Sequence, residues 1–465
     1  MKTIITIMTM ATVALLSQHL LAQSRNDITG MSLGRANVST VNGVDALFGN
    51  PANLQSDGTA SINITPFGAM AGNTMFSLGE MNYYFGGVKT STGQVQARTL
   101  DDTQRDAFLS RFTSGVIAAQ VDAAPFAVAV RLDDASNAGF AMITTVQSNA
   151  RVPQGTAQLA AGYAGFQPLS ITGGSASAFA YTGYQLSYSR RVMGGTSGQS
   201  ESSSSPVLNI GASAKFIRGV FVADAPSANT VSVNPYAPAG FDSTRNWAVN
   251  INSTVRTAGF QNDLQPASFL TGGSAGTGFG FDAGATLHLG GEHNTTFSAA
   301  LLDVGSIAWN GVENTITVRD TIKALAQMTQ QSLDRYSPVA TNATFSTALP
   351  ARLRIGGSMV FSNLISQVQS LRVMMEYTQG FNSVGANSTV PRLAAGIELQ
   401  QNGFIPALRM GSQIGGIEGF SWSAGLGWVV MNSVSLDFAL GTLTPVIAPS
   451  ASRWVEAGMR VRVDI

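Results

Sequence analysis

From residue 278 to residue 289, apolar and polar side chains take turns. Phe279, Phe281, Ala283, Ala285, Leu287 and Leu289 occupy every second place, and Gly278, Gly280, Asp282, Gly284, Thr286 and His288 fill the places between them. A period of two marks a strand with one apolar face. The GGEHN that follows is a polar, glycine-rich turn, and Phe297, Ala299 and Leu301 resume the alternation beyond it, so the unit is a long antiparallel hairpin. Its second face is small or polar almost throughout. A water-soluble sandwich would bury the apolar face against another sheet, whereas a membrane barrel would turn it to lipid and line its lumen with the polar face.

The same alternation predicts strands at 59–65, 75–85, 123–131, 138–147, 180–190, 207–217 and 246–255 before the hairpin. After it come 351–361, 370–378, 392–400, 404–413, 420–430, 433–441 and 453–464. Most are long enough for a tilted membrane strand of about 9 to 11 residues. From 278 onward short and long links alternate, as they do when short turns are periplasmic and long loops extracellular. Before 278 the rhythm breaks at 218–245, and an additional strand at 230–234 is one way to repair it. The expected fold is all-β, a transmembrane antiparallel β-barrel of about 14 strands, with 12 to 16 allowed by the weak signal of each strand.

Two stretches have helical spacing instead. Val318, Ile322, Leu325, Met328, Leu333 and Tyr336 predict one helix, with Thr317 and Asp320 as its capping box and Ser337-Pro338 as its stop. Asp101 to Gln104 opens a shorter one carrying Phe108, Leu109 and Phe112. Such helices either form a lid over the barrel mouth or pack against their own loops.

Composition decides between sandwich and barrel. Of 465 residues 44% are hydrophobic and only 11% charged, and glycine numbers 50. Ordinary soluble domains carry about 25% charged residues. Lys plus Arg equals Asp plus Glu at 26 each, which leaves no basic field for nucleic acid, and the absence of cysteine excludes disulfides and thiolate metal sites. Residues 1–22 read as a signal peptide, with Met1-Lys2, an apolar run from Ile4 to Leu16 and cleavage after Ala22. Beyond it no apolar run approaches the about 20 residues of a membrane helix. An exported, apolar chain of this kind enters a membrane by closing its strands, so the expected location is the outer membrane of a Gram-negative-type cell, in contact with its lipid. Residues 23–58 then form a periplasmic or plug segment, and 59–465 the barrel.

Charge is concentrated on one face of the later strands. Opposite their apolar stripe lie Arg352, Arg354, Arg372, Glu376, Arg392, Glu398, Glu456, Arg460, Arg462 and Asp464, with Arg409 continuing the set. An arginine facing lipid near the midplane costs about 2 to 4 kcal/mol, so these side chains should point inward. There they either stiffen the wall and hold a plug, or bind the carboxylate or phosphate head of a ligand in transit. Arg352, Arg354, Arg372, Glu376, Arg392, Glu398 and Arg409 are the candidate ligand-binding set. Trp309, Trp422, Trp428, Trp454 and Tyr377 sit near strand ends and suit an interfacial girdle. Past the signal peptide only His288 and His293 remain, and no catalytic or metal-ligand spacing occurs, so neither enzyme chemistry nor a cofactor is expected.

Two motifs carry a resemblance. A small-residue lead, Asp45, Phe48 and then Asn50-Pro51-Ala52, a turn fixed by proline ahead of the first strand, resembles the N-terminus of FadL-like outer-membrane proteins, including fatty-acid transporters and PorV-type secretion barrels. Asn53 stands where that group usually has glycine. Gly280 to Thr286, Leu301 to Trp309 and Leu349-Pro350-Ala351-Arg352-Leu353 are similar to an uncharacterised family of FadL-like barrels from Bacteroidota, over roughly residues 30 to 460. The resemblance implies passive uptake of a hydrophobic or amphiphilic small molecule. The alternatives it leaves are an accessory barrel holding a secretion-system protein and a structural envelope barrel.

Overall fold

The computed structural model describes residues 27–465 except 56–57, 114, 161–167, 195–205, 236–245, 261–272, 290–293, 324–337, 366–367, 386, 402–404 and 431–432. The expected signal peptide, the serine-rich stretch 195–205 and most of the expected GGEHN turn lie outside the described residues.

Fourteen antiparallel strands close into a barrel. They are β1 (Ala60–Asn73), β2 (Val116–Arg131), β3 (Ser136–Arg151), β4 (Ser175–Met193), β5 (Val207–Ala225), β6 (Gly276–Leu289), β7 (Thr295–Lys323), β8 (Arg352–Ile365), β9 (Val368–Gly380), β10 (Arg392–Gln401), β11 (Ala407–Gly415), β12 (Ser421–Val429), β13 (Val434–Leu440) and β14 (Trp454–Asp464). Each pairs with the next, and β1 pairs with both β2 and β14, Ala71 lying opposite Ala119 on one side and Val455 on the other. Closure removes the open edge that a membrane would not tolerate.

The pleat sorts the side chains. Phe279, Phe281, Leu186, Phe216, Met375, Leu393, Phe438 and Met459 are exposed on the outside, while Gly280, Asp282, Glu376, Arg392 and Arg460 are buried inside. The outer belt is therefore apolar and the lumen polar, the arrangement of an outer-membrane-type barrel. Links at one end are short; at the other they are long and partly folded.

Four further strands among the described residues extend the same sheet beyond the wall. β7 runs for 29 residues, about 95 Å at roughly 3.3 Å per residue, and so overshoots a hydrocarbon layer of about 30 Å. Its far half pairs with Asn246–Ala258 and Val339–Ala348. The strand Thr230–Pro235 joins that sheet, and Leu169–Thr172 joins it in turn. Together they build a β canopy over the long-loop end.

Three expectations need correction. Residues 75–85 contain no barrel strand: Ser77 and Glu80 form a capping box that starts the helix Leu78–Phe85, and local capping outweighs a short alternating run. The strand expected at 246–255 exists, as does one at 230–234, but both belong to the canopy, which is why the short-long rhythm broke there. The helix expected from Val318 does not start there, since 318–323 continue β7 and pair in register with 246–251 of the strand Asn246–Ala258. The rest of that stretch, 324–336, lies outside the described residues. The helix expected from Asp101 is present as Asp102–Ser110, with both bonds of its capping box. Phe108 and Phe112 pack with Met75 and Phe76, so the apolar face of this helix is spent on its own loop.

If the outer belt faces lipid, Phe281→Arg lowers barrel stability by about 2 to 4 kcal/mol in urea titrations in lipid vesicles. An unchanged midpoint would mean that this face meets something other than lipid.

Candidate functional site: the plug and the lumen

Residues 27–55 fold inside the barrel as a chain of short turns. Asp27 caps the first, Ile28–Ser32, by accepting from Gly30 N at 2.9 Å, and Ala46–Gly49 forms another. Asn50 is extended and its side-chain oxygen accepts from Ala52 N at 3.1 Å, so Pro51–Asn53 is a rigid turn whose φ proline has preset. This turn docks on the wall where β5 and β6 have no side chains: a Cβ at Gly211 would strike the backbone of Pro51, and one at Gly284 would strike Asn50 Oδ1. Asn50 Nδ2 then donates to Thr286 Oγ1 at 3.0 Å. The Asn-Pro-Ala turn and the Asp-x-Gly of β6 are two sides of one joint.

The second Asp-x-Gly locks a bulge. Asp303 has φ +57°, a left-handed conformation that Asp tolerates better than most residues, and its N–H donates to Asp282 Oδ1 at 2.7 Å. Lys215 Nζ bridges Asp282 at 2.8 Å and Asp303 at 2.5 Å, and Arg352 Nη1 reaches the other Asp303 oxygen at 2.7 Å.

Around the rest of the lumen the charged side chains form a ladder. Arg354 Nε donates to Glu376 at 2.6 Å, Arg372 Nη1 to Glu398 at 3.2 Å and Arg409 Nε to Glu398 at 2.6 Å. Asp437 accepts from both Arg409 and Arg460. Arg392 donates to Thr378 Oγ1 at 3.0 Å. Six of the seven candidate residues lie in the lumen, Arg352, Arg354, Glu376, Glu398 and Arg409 in ion pairs and Arg392 on the Thr378 hydroxyl, and Arg372 sits more exposed.

The ladder continues into the plug. Glu376 Oε2 accepts from the backbone N–H groups of Asn37 and Val38 at 2.9 and 2.8 Å. Arg354 donates to Asn37 Oδ1 at 2.7 Å, Arg35 pairs with Glu456, and Asp45 pairs with Arg460 and Arg462. Burial pushes the Asp45 carboxyl upward, but the two guanidiniums, with hydrogen bonds from Asn63 and Arg460, outweigh it and hold the pKa below the usual carboxylate range.

Between plug and canopy lies a small cavity of about 50 Å³. Leu47 and Phe48 of the plug form its floor. Its roof continues into a buried apolar cluster of Trp309, Ile307, Phe179, Ile217 and Leu349. Trp309 is thus fully buried in the lumen, where its Nε1 donates to Thr347 Oγ1 at 3.0 Å, and Trp454 is buried against Met70. Neither belongs to a lipid girdle, because both fall on inward positions of the pleat; Trp422, Trp428 and Tyr377 do face outward. Lys215, Asp437 and the cavity's glutamines escaped notice in the sequence, although Lys215 and Asp437 are at inward positions of alternating strands.

The family described as "Family of unknown function (DUF5723)" matches residues 51–401. The chain belongs to that family. No curated protein matches it. Among solved structures, this DUF5723 protein is similar to the toluene transporter TbuX of Ralstonia pickettii, at 14% identity over 93% of this chain and 98% of that one, with a TM-score of 0.45. It is similar also to a Pseudomonas aeruginosa FadL homologue, at 14% identity over 96% and 98%, with a TM-score of 0.43. The toluene transporter TodX of P. putida matches at 9% identity over 95% and 97%, with a TM-score of 0.42.

Two tests address the plug. Glu376→Ala leaves the Arg354 guanidinium buried without its close partner, a loss of about 3 to 5 kcal/mol, so limited proteolysis should cut the N-terminal segment of the variant and spare the wild type. Continued protection would show that the ladder does not hold the plug. For Asp45 the folded pKa is depressed, so its contribution is complete above the ordinary carboxylate range and disappears as pH falls through the folded value. Protease protection of the plug should therefore be flat from neutral to mildly acidic pH and fall only in strong acid, and Asp45→Asn should abolish that acid step.

Proposed function

We propose that this protein is a passive outer-membrane conduit for hydrophobic or amphiphilic small molecules, gated by its plug. The observation that carries the reading is a pair of bulges in the wall beside the plug. β1 and β2 keep one register through this stretch, Ile64 opposite Phe126 and Phe67 opposite Ala123. Each strand bulges there against its outer neighbour, with register shifts toward β14 and β3. Each bulge contains a proline, Pro66 or Pro125, which has no N–H to give to a ladder.

The plug stands behind these bulges. Val44, Leu47 and Phe48 pack against Ala124 and Ala127 of β2, and Leu47 and Phe48 are also the floor of the cavity. Displacement of the 44–48 turn, at the expense of the Asp45 pairs with Arg460 and Arg462, would open the cavity toward the bulged stretch. The route supported is capture at the canopy, passage by way of the cavity, and exit past the displaced turn sideways into the membrane or onward to the periplasm. The printed names of the neighbours TbuX and TodX, both toluene transporters, agree with this chemistry.

A second reading has one observation in its favour. The lumen is stoppered and the canopy is an ordered sheet, which also suits an accessory barrel that presents a surface to a secretion partner.

The sequence has no cysteine, so a staple can be introduced cleanly. Val44 N donates to Ser61 Oγ at 2.8 Å, and Val44→Cys with Ser61→Cys ties the turn to β1. Uptake of a fluorescent lipophile into liposomes should fall to the empty-vesicle rate when the pair is oxidised and recover on reduction. Equal uptake in both states, or none in the wild type, would reject the conduit and favour the accessory role.

A further inference from the structure

The outer face of the barrel has a slot in it. From β12 to β14 and on to β1, outward positions hold the small residues Ala424, Ala457 and Ala69 between the larger Leu426, Phe438 and Phe67. The hollow they leave is apolar and has a volume of about 630 Å³. Arg409 also borders it, but its guanidinium is engaged on the lumen side with Glu398 and Asp437. The wall is low here as well: β13 has seven residues, the fewest of the fourteen strands, against about 9 to 11 in an ordinary membrane strand. A short wall draws the lipid surface down toward its rim.

An outward-facing cation stands over the slot, at the long-loop end. Arg453, Val455, Ala457 and Met459 are exposed at every second position, so Arg453 lies about 13 Å above Ala457 at roughly 3.3 Å per residue. Its carbonyl accepts from Asn73 N at 3.0 Å, which fixes it beside β1. Its side chain is 39% exposed and makes two long contacts, 3.4 Å from Nη1 to the Thr74 carbonyl and 3.4 Å from Nη2 to Glu80 Oε2. A strong charge-assisted bond measures about 2.7 to 2.9 Å. Glu80 is held more closely by Arg111, at 2.6 Å, and by the Ser77 N–H, at 2.7 Å. Among the described residues two guanidiniums thus share one carboxylate, and the rim keeps positive charge and donors to offer. Leu78, whose N–H donates to the Ser452 carbonyl at 2.9 Å, adds exposed apolar surface at the same level.

We propose that this seam binds an outer-leaflet lipid with a phosphate head, its acyl chains in the slot and its phosphate on Arg453 and Arg111. The order of the site is that of such a lipid, hydrocarbon at membrane depth and a bidentate phosphate donor above it. A protein neighbour in the membrane would match the slot but would leave the cations without a partner. The bound lipid covers the stretch where β1 bulges against β14, next to Phe67. It sits outside the barrel and is independent of the conduit.

Native mass spectrometry of the full-length barrel in detergent tests the site, with dipalmitoyl phosphatidic acid and dipalmitoylglycerol as probes that share their chains and differ in the phosphate. Phosphatidic acid should form a one-to-one adduct and bind at least about tenfold more tightly than the diglyceride, and Arg453→Gln combined with Arg111→Gln should remove that preference. Ala457→Trp, which fills the slot, should reduce the adducts of both probes to background, with Ala424→Leu as a second variant should the first fail to fold. Equal binding of the two probes, a preference that survives loss of both arginines, or unchanged adducts in a folded slot variant would overturn the assignment. A lipid-free dimer that Ala457→Trp dissociates would also overturn it and give this face to a second copy of the chain.

Discussion

A barrel that buries charged side chains in its lumen has to neutralise each of them away from bulk water, and nearly everything else in this structure follows from how that is done. Breaking a buried ion pair is far more expensive than forming one is profitable, so the pattern of pairs dictates which parts must stay together. Here the pairs form a chain from Lys215 through Asp303 to Arg352 on one side, and from Glu398 through Arg409 and Asp437 to Arg460 on another. Nearly all the cations are arginines. Their fork can serve two carboxylates at once, which a lysine ammonium does with less geometric definition.

The plug belongs to this network as much as the wall does. Glu376 accepts from two plug amides while it holds Arg354, and Asp45 closes the ladder at its other end. The rigid Asn-Pro-Ala turn supplies shape where the ladder supplies charge. It approaches β5 and β6 so closely that only glycine fits at 211 and 284. Apolar contacts of Val44, Leu47 and Phe48 complete the seat, and they do so against the stretch where β1 and β2 each bulge against their outer neighbour. A bulged part of the wall and the apolar side chains of the 44–48 turn face each other, while Asp45 of the same turn is tied to Arg460 and Arg462, so the stopper moves only by giving up that buried pair.

Above the plug the balance changes. The canopy carried by the overlong β7 brings Trp309 and its neighbours down as a roof, so the cavity is shielded at both ends. Its glutamine amides sit on β2, β3 and β4, in the same cavity that Lys215 and Arg352 line. Both cations are already paired with Asp282 and Asp303.

Alternation by itself determined that this chain forms long antiparallel strands with one apolar and one polar face, because the pleat is local and repeats every two residues. Low charge then forced the apolar face toward lipid, and the inward direction of Arg352, Arg354, Glu376 and Glu398 followed. The Asn50-Pro51-Ala52 turn and the Asp101 helix were legible for the same reason, since proline geometry and capping are short-range. Where local signals competed, at 75–85 and from Val318, the reading failed: a capping box won over alternation in one case, and sheet pairing over helical spacing in the other. Only the tertiary structure could decide which carboxylate each arginine meets, that the plug is one of the partners, that Trp309 lies inside, and that Gln120, Gln147 and Gln185 share one cavity. Those facts depend on how the curved sheet closes and on distances between residues far apart in the chain, and neutral amides scattered over three strands leave no periodic trace from which such a closure could be read.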